Sequence, residues 1–273
     1  MLWGMTSSGW LTCLVNEAPD PKRAQLELMA EHGLHVTAWR ASQLMEMKAD
    51  RRAELAELAE ELDIRIGLGV RIPIYAEDPA EREAATERAI EAVDELAPVF
   101  RSPLCESGLP YDSFTREPSI EEQIERASDA LAPLAEHAAE AGCPLGLHNA
   151  GHWCRHLAEL CHRTPGLGIL LDTANPFFAA EQPFRAAQDA APYVVGTHFK
   201  DRCGHPDSGR LVFETSGAVI GQGDVDIPTV FGILKDNVPD FENCPMLMEI
   251  DPVEGMEARE VLALSAEYVK SLG

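Results

Sequence analysis

The chain alternates short apolar runs with longer amphipathic segments from one end to the other. Apolar residues at helical spacing predict helices in the longer segments, and short runs rich in Val, Ile and Leu predict buried strands between them. The predicted strands are Leu2–Thr6, Leu34–Arg40, Ile64–Val70, Val99–Cys105, Pro144–His148, Leu167–Asp172, Tyr193–His198 and Met246–Ile250. The predicted helices are Pro21–His32, Asp50–Leu62, Asp78–Leu96, Ser119–Ala141, Cys154–His162, Pro183–Ala190, Pro228–Asn237 and Glu257–Ser271. Strands that alternate with helices pair in parallel through right-handed crossovers, so the pattern predicts an α/β fold.

The number of strand–helix units narrows this class to one architecture. The eight units occupy 273 residues without a linker or a low-complexity tract, which predicts a single domain over residues 1–273. A length of about 250 residues is usual for a closed (β/α)8 barrel, the TIM barrel. No glycine fingerprint for a dinucleotide follows the first predicted strand, which argues against an open doubly wound sheet.

The charge balance excludes several classes of partner. The chain has 46 acidic against 22 basic side chains and a formal net charge of -24, whereas binding to nucleic acid or anionic lipid needs clustered Lys and Arg. No apolar run approaches the roughly 18 residues of a transmembrane helix, so we expect neither nucleic acid nor membrane as a partner. The first residues lack the pattern of a signal peptide and the seven Cys form no CxxC pair, which predicts a cytoplasmic protein with reduced thiols.

Residues that can bind a metal end the fifth to eighth predicted strands. These residues are His148, Asp172, His198 and Glu249. Because active sites of (β/α)8 barrels lie at the carboxyl ends of the strands, we expect the four side chains to meet at one rim. Burying Glu249 unpaired in the apolar segment PMLMEI would cost several kcal/mol, and a shared cation would remove that cost. Nitrogen and oxygen ligands without thiolate predict one divalent cation, with Mn²⁺ as the first choice and Mg²⁺, Co²⁺, Zn²⁺ or Fe²⁺ as alternatives.

Each residue of this set also has a structural interpretation. An Asp that closes a strand, such as Asp172, often caps the helix or turn that follows. A His after an apolar strand, such as His148 or His198, is commonly a buried residue with no ligand. The metal site is therefore inferred from the four residues together and not from any one of them.

Other polar residues near the predicted strand ends are candidates for the substrate site. The further candidates are Lys200, Asn149, His152, Trp153, Arg40 and Glu106. Lys200 would stabilise an enolate or bind a carboxylate, and Arg40 would hold a carboxylate or hydroxyl, although both could instead form salt bridges. Glu106 would donate or accept a proton. Asn149, His152 and Trp153 would line the pocket, although the last two could equally cap the next helix.

Segments of the second half resemble a known enzyme family. The segments LLDTAN, THFKD, IGQGDVDIPTVFGIL and LMEID resemble the sugar phosphate isomerase/epimerase family with the xylose-isomerase-like barrel, which includes ketose 3-epimerases and inosose dehydratases. The resemblance is densest from about residue 143 to residue 251. It implies a divalent cation held by residues at the ends of the fifth to eighth strands. Asp172, His198 and Glu249 match the ligands of the family.

The fifth strand departs from the pattern of this family. The family usually has Glu followed by Asn at the strand end, and this chain has His148 followed by Asn149. In the epimerases of the family, glutamates of the fifth and eighth strands move a proton on opposite faces of the substrate, and only Glu249 of that pair is present here. His148 is expected either to replace the carboxylate as a ligand or to act as an acid/base beside the metal.

These features together predict a metal-dependent isomerase or epimerase that acts on a small keto-sugar, polyol or sugar acid through an enediolate. Its catalytic residues would be Glu249, His148 and Lys200. A lyase, either a dehydratase or a decarboxylase, is the alternative because it needs no symmetrical pair of carboxylates. Remoter alternatives are a phosphodiesterase like the AP endonucleases, which would need more ligands and a basic surface, and a non-catalytic sugar binder. Because relatives are commonly dimers or tetramers, a homodimer or homotetramer is expected.

Overall fold

Parallel strands close into a barrel, which confirms the predicted (β/α)8 fold. The computed structural model describes residues 1–7, 13–76, 78–109, 117–207 and 212–273. The eight strands of the closed barrel are β1 (Leu2–Met5), β2 (Val36–Arg40), β3 (Arg65–Gly69), β4 (Cys105–Gly108), β5 (Leu145–His148), β6 (Leu167–Asp172), β7 (Val194–Phe199) and β10 (Pro245–Met248). Each strand pairs in parallel with the next, and β10 closes the barrel between β7 and β1.

Helices surround the barrel in the order that the sequence predicts, with one short addition. The helices of the described residues are α1 (Pro21–Glu31), α2 (Ala41–Met45), α3 (Ala49–Glu61), α4 (Pro79–Phe100), α5 (Ile120–Glu140), α6 (Cys154–Arg163), α7 (Pro183–Ala190), α8 (Ile227–Asn237) and α9 (Ala258–Lys270). Asp20 caps α1 and Ser119 caps α5, each through its side chain, as their positions before Pro21 and before Glu122 predict. None of these helices is both long and apolar enough to cross a membrane.

The interior of the barrel explains why the polar strand ends point inward. A cluster of buried side chains from β2, β6, β10 and the residue before β4 is separate from the larger core between strands and helices, and it consists of Val36, Ala38, Leu104, Leu170 and Leu247. Side chains two positions apart on a strand lie on the same face. Asp172 follows Leu170, Glu106 follows Leu104 and Glu249 follows Leu247 at that spacing, so they lie on the interior face as well.

The fourth strand does not lie where the sequence predicts it. The predicted strand Val99–Cys105 is wrong, because α4 continues through Pro98 to Phe100 and β4 is Cys105–Gly108. Phe100 is buried and its ring lies 6.1 Å from that of Trp39, so packing on β2 stabilises this last helical turn. The consequence is that Glu106 lies within a strand of the barrel.

The segment from 200 to 223, between the seventh predicted strand and the helix predicted from Pro228, contains an antiparallel hairpin of two strands, β8 (Arg202–Asp207) and β9 (Val212–Gly217). The glycine-containing loop after this hairpin folds around the carboxylate of Asp201. This carboxylate accepts hydrogen bonds from the backbone N–H groups of Gly221, Gly223 and Val225, at 2.9, 2.9 and 3.1 Å. The loop thereby fixes the backbone next to Lys200.

Candidate metal centre

The four predicted metal ligands form one cluster at the carboxyl end of the barrel. His148, Asp172, His198 and Glu249 each offer one ligand atom, and these atoms all lie within 4.8 Å of one another. The pairing of the strands brings the four residues together. Asp172 lies next to His198 in the β6–β7 pair, and Glu249 directly follows β10, which pairs with β7 on its other side. Within the described residues, this is the one group of His, Cys, Asp and Glu side chains close enough to hold a metal ion.

The ligand atoms of this cluster are placed to bind a cation and do not form hydrogen bonds with one another. Nε2 of His148, Oδ2 of Asp172 and both ring nitrogens of His198 are buried and have no hydrogen-bond partner of acceptable geometry among the described residues. Nε2 of His148 lies 3.6 Å from Oδ2 of Asp172, and Nδ1 of His198 lies 3.0 Å from Oε2 of Glu249. Buried polar atoms normally have partners. A divalent cation among them would satisfy Nε2 of His148, Oδ2 of Asp172 and one ring nitrogen of His198, which are nitrogen and oxygen ligands that Mn²⁺, Fe²⁺, Co²⁺ or Zn²⁺ accepts.

Asp172 is held by its neighbours so that one carboxylate oxygen remains for the cluster. Its Oδ1 accepts hydrogen bonds from the backbone N–H groups of Ala174 and Asn175, both at 2.8 Å. The side-chain amide of Asn149 forms two hydrogen bonds with the backbone of Asp172. Its nitrogen donates to the carbonyl oxygen at 3.1 Å, and its oxygen accepts from the N–H group at 2.7 Å. Asn149, a predicted substrate ligand, thus positions a predicted metal ligand across the β5–β6 pair.

His198 lies between two carboxylates. Its Nδ1 faces Glu249, and its Nε2 lies 3.5 Å from Oε2 of Glu106. A histidine that binds a metal usually donates its other ring N–H to a carboxylate or carbonyl, which fixes the tautomer and the orientation of the ring. Glu106 is placed to be that partner. The sequence predicted Glu106 as a candidate but gave no signal for this contact between β4 and β7.

Opposite charges within the cluster stabilise one another. Burial alone would lower the pKa of His198, but the carboxylates of Glu106 and Glu249 outweigh it and raise the pKa to about 10. Burial would raise the pKa values of Asp172 and Glu249, yet the imidazoles beside them and the Lys200 ammonium hold both below their usual range. In this arrangement His198 carries a proton at neutral pH, and a cation bound at its nitrogen would displace that proton.

Lys200 lies against the cluster on the side of Glu249. Its Nζ is 2.7 Å from Oε1 of Glu249, 3.4 Å from Oδ2 of Asp251 and 3.9 Å from Oδ2 of Asp172. Burial would lower the pKa of Lys200, but the surrounding carboxylates outweigh it and raise the pKa above its usual value. The side chain therefore stays an ammonium, which suits a group that stabilises negative charge or donates a proton.

The remaining predicted site residues, which are His152, Trp153 and Arg40, are not part of the cluster. His152 is buried and lines a small pocket between α5 and α6 together with Tyr75, Ile124 and Leu157. Trp153 precedes α6, and its indole N–H donates to the carbonyl of Ala179 at 2.6 Å.

Arg40 ends β2, where it is exposed and lines a cavity of about 760 Å³ that extends to Glu106. For Arg40, as for His152 and Trp153, contact with a substrate stays a prediction.

The fold and the cluster agree with the match to a family of known proteins. The family model described as xylose isomerase-like TIM barrel matches residues 26–272, nearly the whole chain. The chain belongs to this family. The membership confirms the resemblance inferred from the second half of the sequence and extends it to the first half. Among curated proteins, none matches the sequence.

Several solved structures resemble the chain at low sequence identity. A D-psicose 3-epimerase with D-tagatose from Clostridium cellulolyticum H10 has a TM-score of 0.77 and 15% identity over 100% of this chain and 98% of its own. A probable 3-DHS dehydratase from Bacillus anthracis has a TM-score of 0.72 and 12% identity over 99% of both chains. A barrel protein of the family from Mycobacterium smegmatis in complex with magnesium has a TM-score of 0.70 and 16% identity over 94% of this chain and 90% of its own. At these identities the likeness shows the fold.

Proposed function

We propose that the protein is a divalent-metal-dependent isomerase or epimerase that acts on a small keto-sugar, polyol or sugar acid through an enediolate. The observation that carries this proposal is the cluster of His148, Asp172, His198 and Glu249 with the Lys200 ammonium beside it. A divalent cation held by the four residues would polarise adjacent carbonyl and hydroxyl oxygens and lower the energy of the enediolate. The epimerases among the solved structures of similar fold support this choice of reaction.

The residues of the cluster would divide the proton transfer between them. Glu249 is the carboxylate that can take the proton from the carbon next to the carbonyl, and Lys200 would stabilise the charge that develops on oxygen. His148 lies on the β5 side of the cluster and its side chain is 23% exposed, so it can reach a substrate as well as a cation. Return of the proton to the neighbouring carbon gives isomerisation, and its return to the opposite face of the same carbon gives epimerisation.

A lyase is the second candidate function. His148 replaces one of the two glutamates that move protons in the epimerases that the sequence resembles, so a symmetrical carboxylate pair is lacking. The Lys200 ammonium, 2.7 Å from Glu249, is suited to protonate a leaving hydroxyl group after Glu249 has removed a proton. The probable dehydratase among the solved structures of similar fold supports this alternative.

Deuterium exchange tests the proposed function and separates the two reactions. The protein is loaded with Mn²⁺ and incubated in deuterated water with keto-pentoses, keto-hexoses and keto-sugar acids, and the cation is removed on a chelating resin before NMR spectra are recorded. We expect deuterium at the carbon next to the carbonyl of at least one compound, with an epimer or isomer as product. An unsaturated product identifies the lyase.

The matched variants are Glu249→Gln, expected to lose roughly 10²–10⁴-fold in rate, and Glu254→Gln on the exposed surface, expected to lose none. Exchange that proceeds equally in Glu249→Gln or in metal-free protein would overturn the proposal.

A further inference from the structure

A large cavity opens between the carboxyl ends of β1 and β2 and the helices α1, α2 and α3. Its volume is about 760 Å³, within the range of roughly 300–1,000 Å³ that is usual for small-molecule sites. The cavity reaches Glu106, which contacts the predicted metal ligand His198. A substrate whose reacting carbon lies at the cluster and whose chain extends past Glu106 would place its other end in this cavity.

The charged side chains that line the cavity leave an excess of positive charge. The charged lining residues are Asp20, Lys22, Arg40, Arg51 and Glu106. Arg51 pairs with Asp20 in the cavity wall and also with Glu54, and Glu106 faces the imidazole of His198. Lys22 and Arg40 have no carboxylate within 4 Å among the residues that the structure describes.

The ammonium of Lys22 is held in place on a rigid aromatic surface. Its Nζ lies 4.2 Å from the centroid of the Trp39 ring. Trp39 is fully buried, and its indole N–H donates to Oε1 of Gln25 at 2.9 Å, while the amide of Gln25 donates to Oγ1 of Thr37 at 2.9 Å. A charged group that is already fixed loses little conformational entropy when a ligand binds to it.

The half-buried position of Lys22 also favours an anion as its partner. Burial lowers the pKa of Lys22 to about 8, against the weaker opposing effect of Asp20. Such a shift means that holding the charge at this position costs free energy when no anion lies beside it. An anion bound beside the ammonium would remove that cost, whereas a neutral hydroxyl group would do so only in part.

We propose that this cavity binds the anionic end of the substrate, a carboxylate or a phosphate, through Lys22 and Arg40. The substrate class is then a keto-sugar acid or a keto-sugar phosphate, and a neutral sugar would bind more weakly. Arg40 would supply the paired N–H groups that match the oxygens of a carboxylate or phosphate, and Lys22 a point charge. The identity of the ligand as substrate rests on the proposed function, but the preference of the cavity for an anion does not.

Calorimetric titration of three keto-hexose compounds at fixed ionic strength tests this proposal. The probes are D-fructose, 5-keto-D-gluconate and D-fructose 6-phosphate, which carry no charge, a carboxylate and a phosphate. We expect the Mn²⁺-loaded protein to bind one of the two anions at least about tenfold more tightly than D-fructose, the scale of one charge-assisted hydrogen bond. The anion that binds more tightly identifies the group that the cavity accepts.

Variants connect this preference to the named residues. We expect Lys22→Gln and Arg40→Gln each to reduce the preference about tenfold, and Lys22→Arg to retain most of it because the charge is kept. Lys48→Gln, which removes an exposed cation of the same surface outside the cavity, should leave the preference unchanged.

Two results would overturn the proposal: no preference for either anion in the wild-type protein, or a preference that persists in both Lys22→Gln and Arg40→Gln. Metal-dependent deuterium exchange without an anion preference would contradict this inference alone. An anion preference without exchange on any compound would contradict the proposed function alone.

Discussion

Nε2 of His198 lies 3.5 Å from Oε2 of Glu106, on the edge of the ring opposite to the one that faces Glu249. One nitrogen of His198 therefore points to the metal cluster, and the other points to a carboxylate from β4. This arrangement gives Glu106 a role in orienting a predicted ligand.

Replacement of Glu106 should weaken the binding of metal without removing a ligand. We expect Glu106→Ala to raise the dissociation constant for Mn²⁺ roughly 10–100-fold, the usual effect of losing a carboxylate behind a histidine ligand. Glu106→Gln should weaken binding less, since its amide oxygen can still accept the hydrogen bond. Competition with a chelating dye measures both constants, and Glu91→Gln on the exposed face of α4 is the control. Unchanged affinity in Glu106→Ala would contradict the role of Glu106.

Binding of the metal should release a proton even in mildly alkaline solution. The carboxylates around His198 raise its pKa to about 10, so in the metal-free protein the ring is protonated at pH 8, whereas a free histidine with a pKa of ~6.5 is not. Since a histidine must be neutral to bind a cation, about one proton should leave per cation at pH 8. Titration calorimetry in two buffers of different ionisation enthalpy counts these protons. A count near zero would mean that His198 does not bind the metal.

Gly223 should tolerate no side chain, because the loop folds tightly around Asp201. A Cβ at this position would meet the carboxylate of Asp201 and would lie 2.7 Å from the carbonyl oxygen of Arg202. We expect Gly223→Ala to lower the free energy of unfolding by about 1–3 kcal/mol through overpacking. The matched control is Gly232→Ala in α8, where a Cβ has open space and Ala favours the helix, so stability should stay equal or rise. Urea denaturation measures both variants, and equal stability of the two would contradict the anchoring role of Asp201.

His148 should decide whether the protein moves a proton on one face of the substrate or on both. Its Nε2 lies 3.6 Å from Oδ2 of Asp172, so a Glu at the same strand end would face the same cluster. We expect His148→Glu to keep the cation and to catalyse reversible epimerisation faster than the wild-type protein, because it restores a carboxylate at the end of β5. His148→Ala should lose the cation on dialysis, whereas a variant that keeps the cation and loses turnover would assign His148 an acid/base role instead.

The local pattern of apolar and polar residues was sufficient to predict most of the barrel and the four residues of the metal cluster. The strand Leu167–Asp172 and the helix Pro183–Ala190 lie at the residues that the periodicity predicts. The fourth strand lies later in the chain than the predicted Val99–Cys105, because α4 tolerates Pro98 in its last turn while Phe100 packs on Trp39. The turn-forming residues PDSG are a local sequence signal for the hairpin.

Contacts between distant strands could not be predicted in this way. Glu106 on β4 lies near His198 on β7, although these strands are not neighbours in the barrel. The contact therefore depends on how far each side chain extends into the barrel interior. The place of Lys22 on Trp39 depends in the same way on how α1 packs against β2. A single domain, a cytoplasmic location, a dimer or tetramer, and Mn²⁺ as the bound cation stay predictions.

The amount of cation bound per chain tests the central claim most directly. The protein is loaded with Mn²⁺, unbound Mn²⁺ is removed by gel filtration, and the metal content is measured by elemental mass spectrometry. We predict about one cation per chain in the wild-type protein and in the surface variant Glu254→Gln, and a large loss in the double variant Asp172→Asn/Glu249→Gln, which removes both carboxylate ligands. A wild-type protein that retains no divalent cation, or a double variant that retains as much as the wild type, would contradict the claim that these residues form a metal centre.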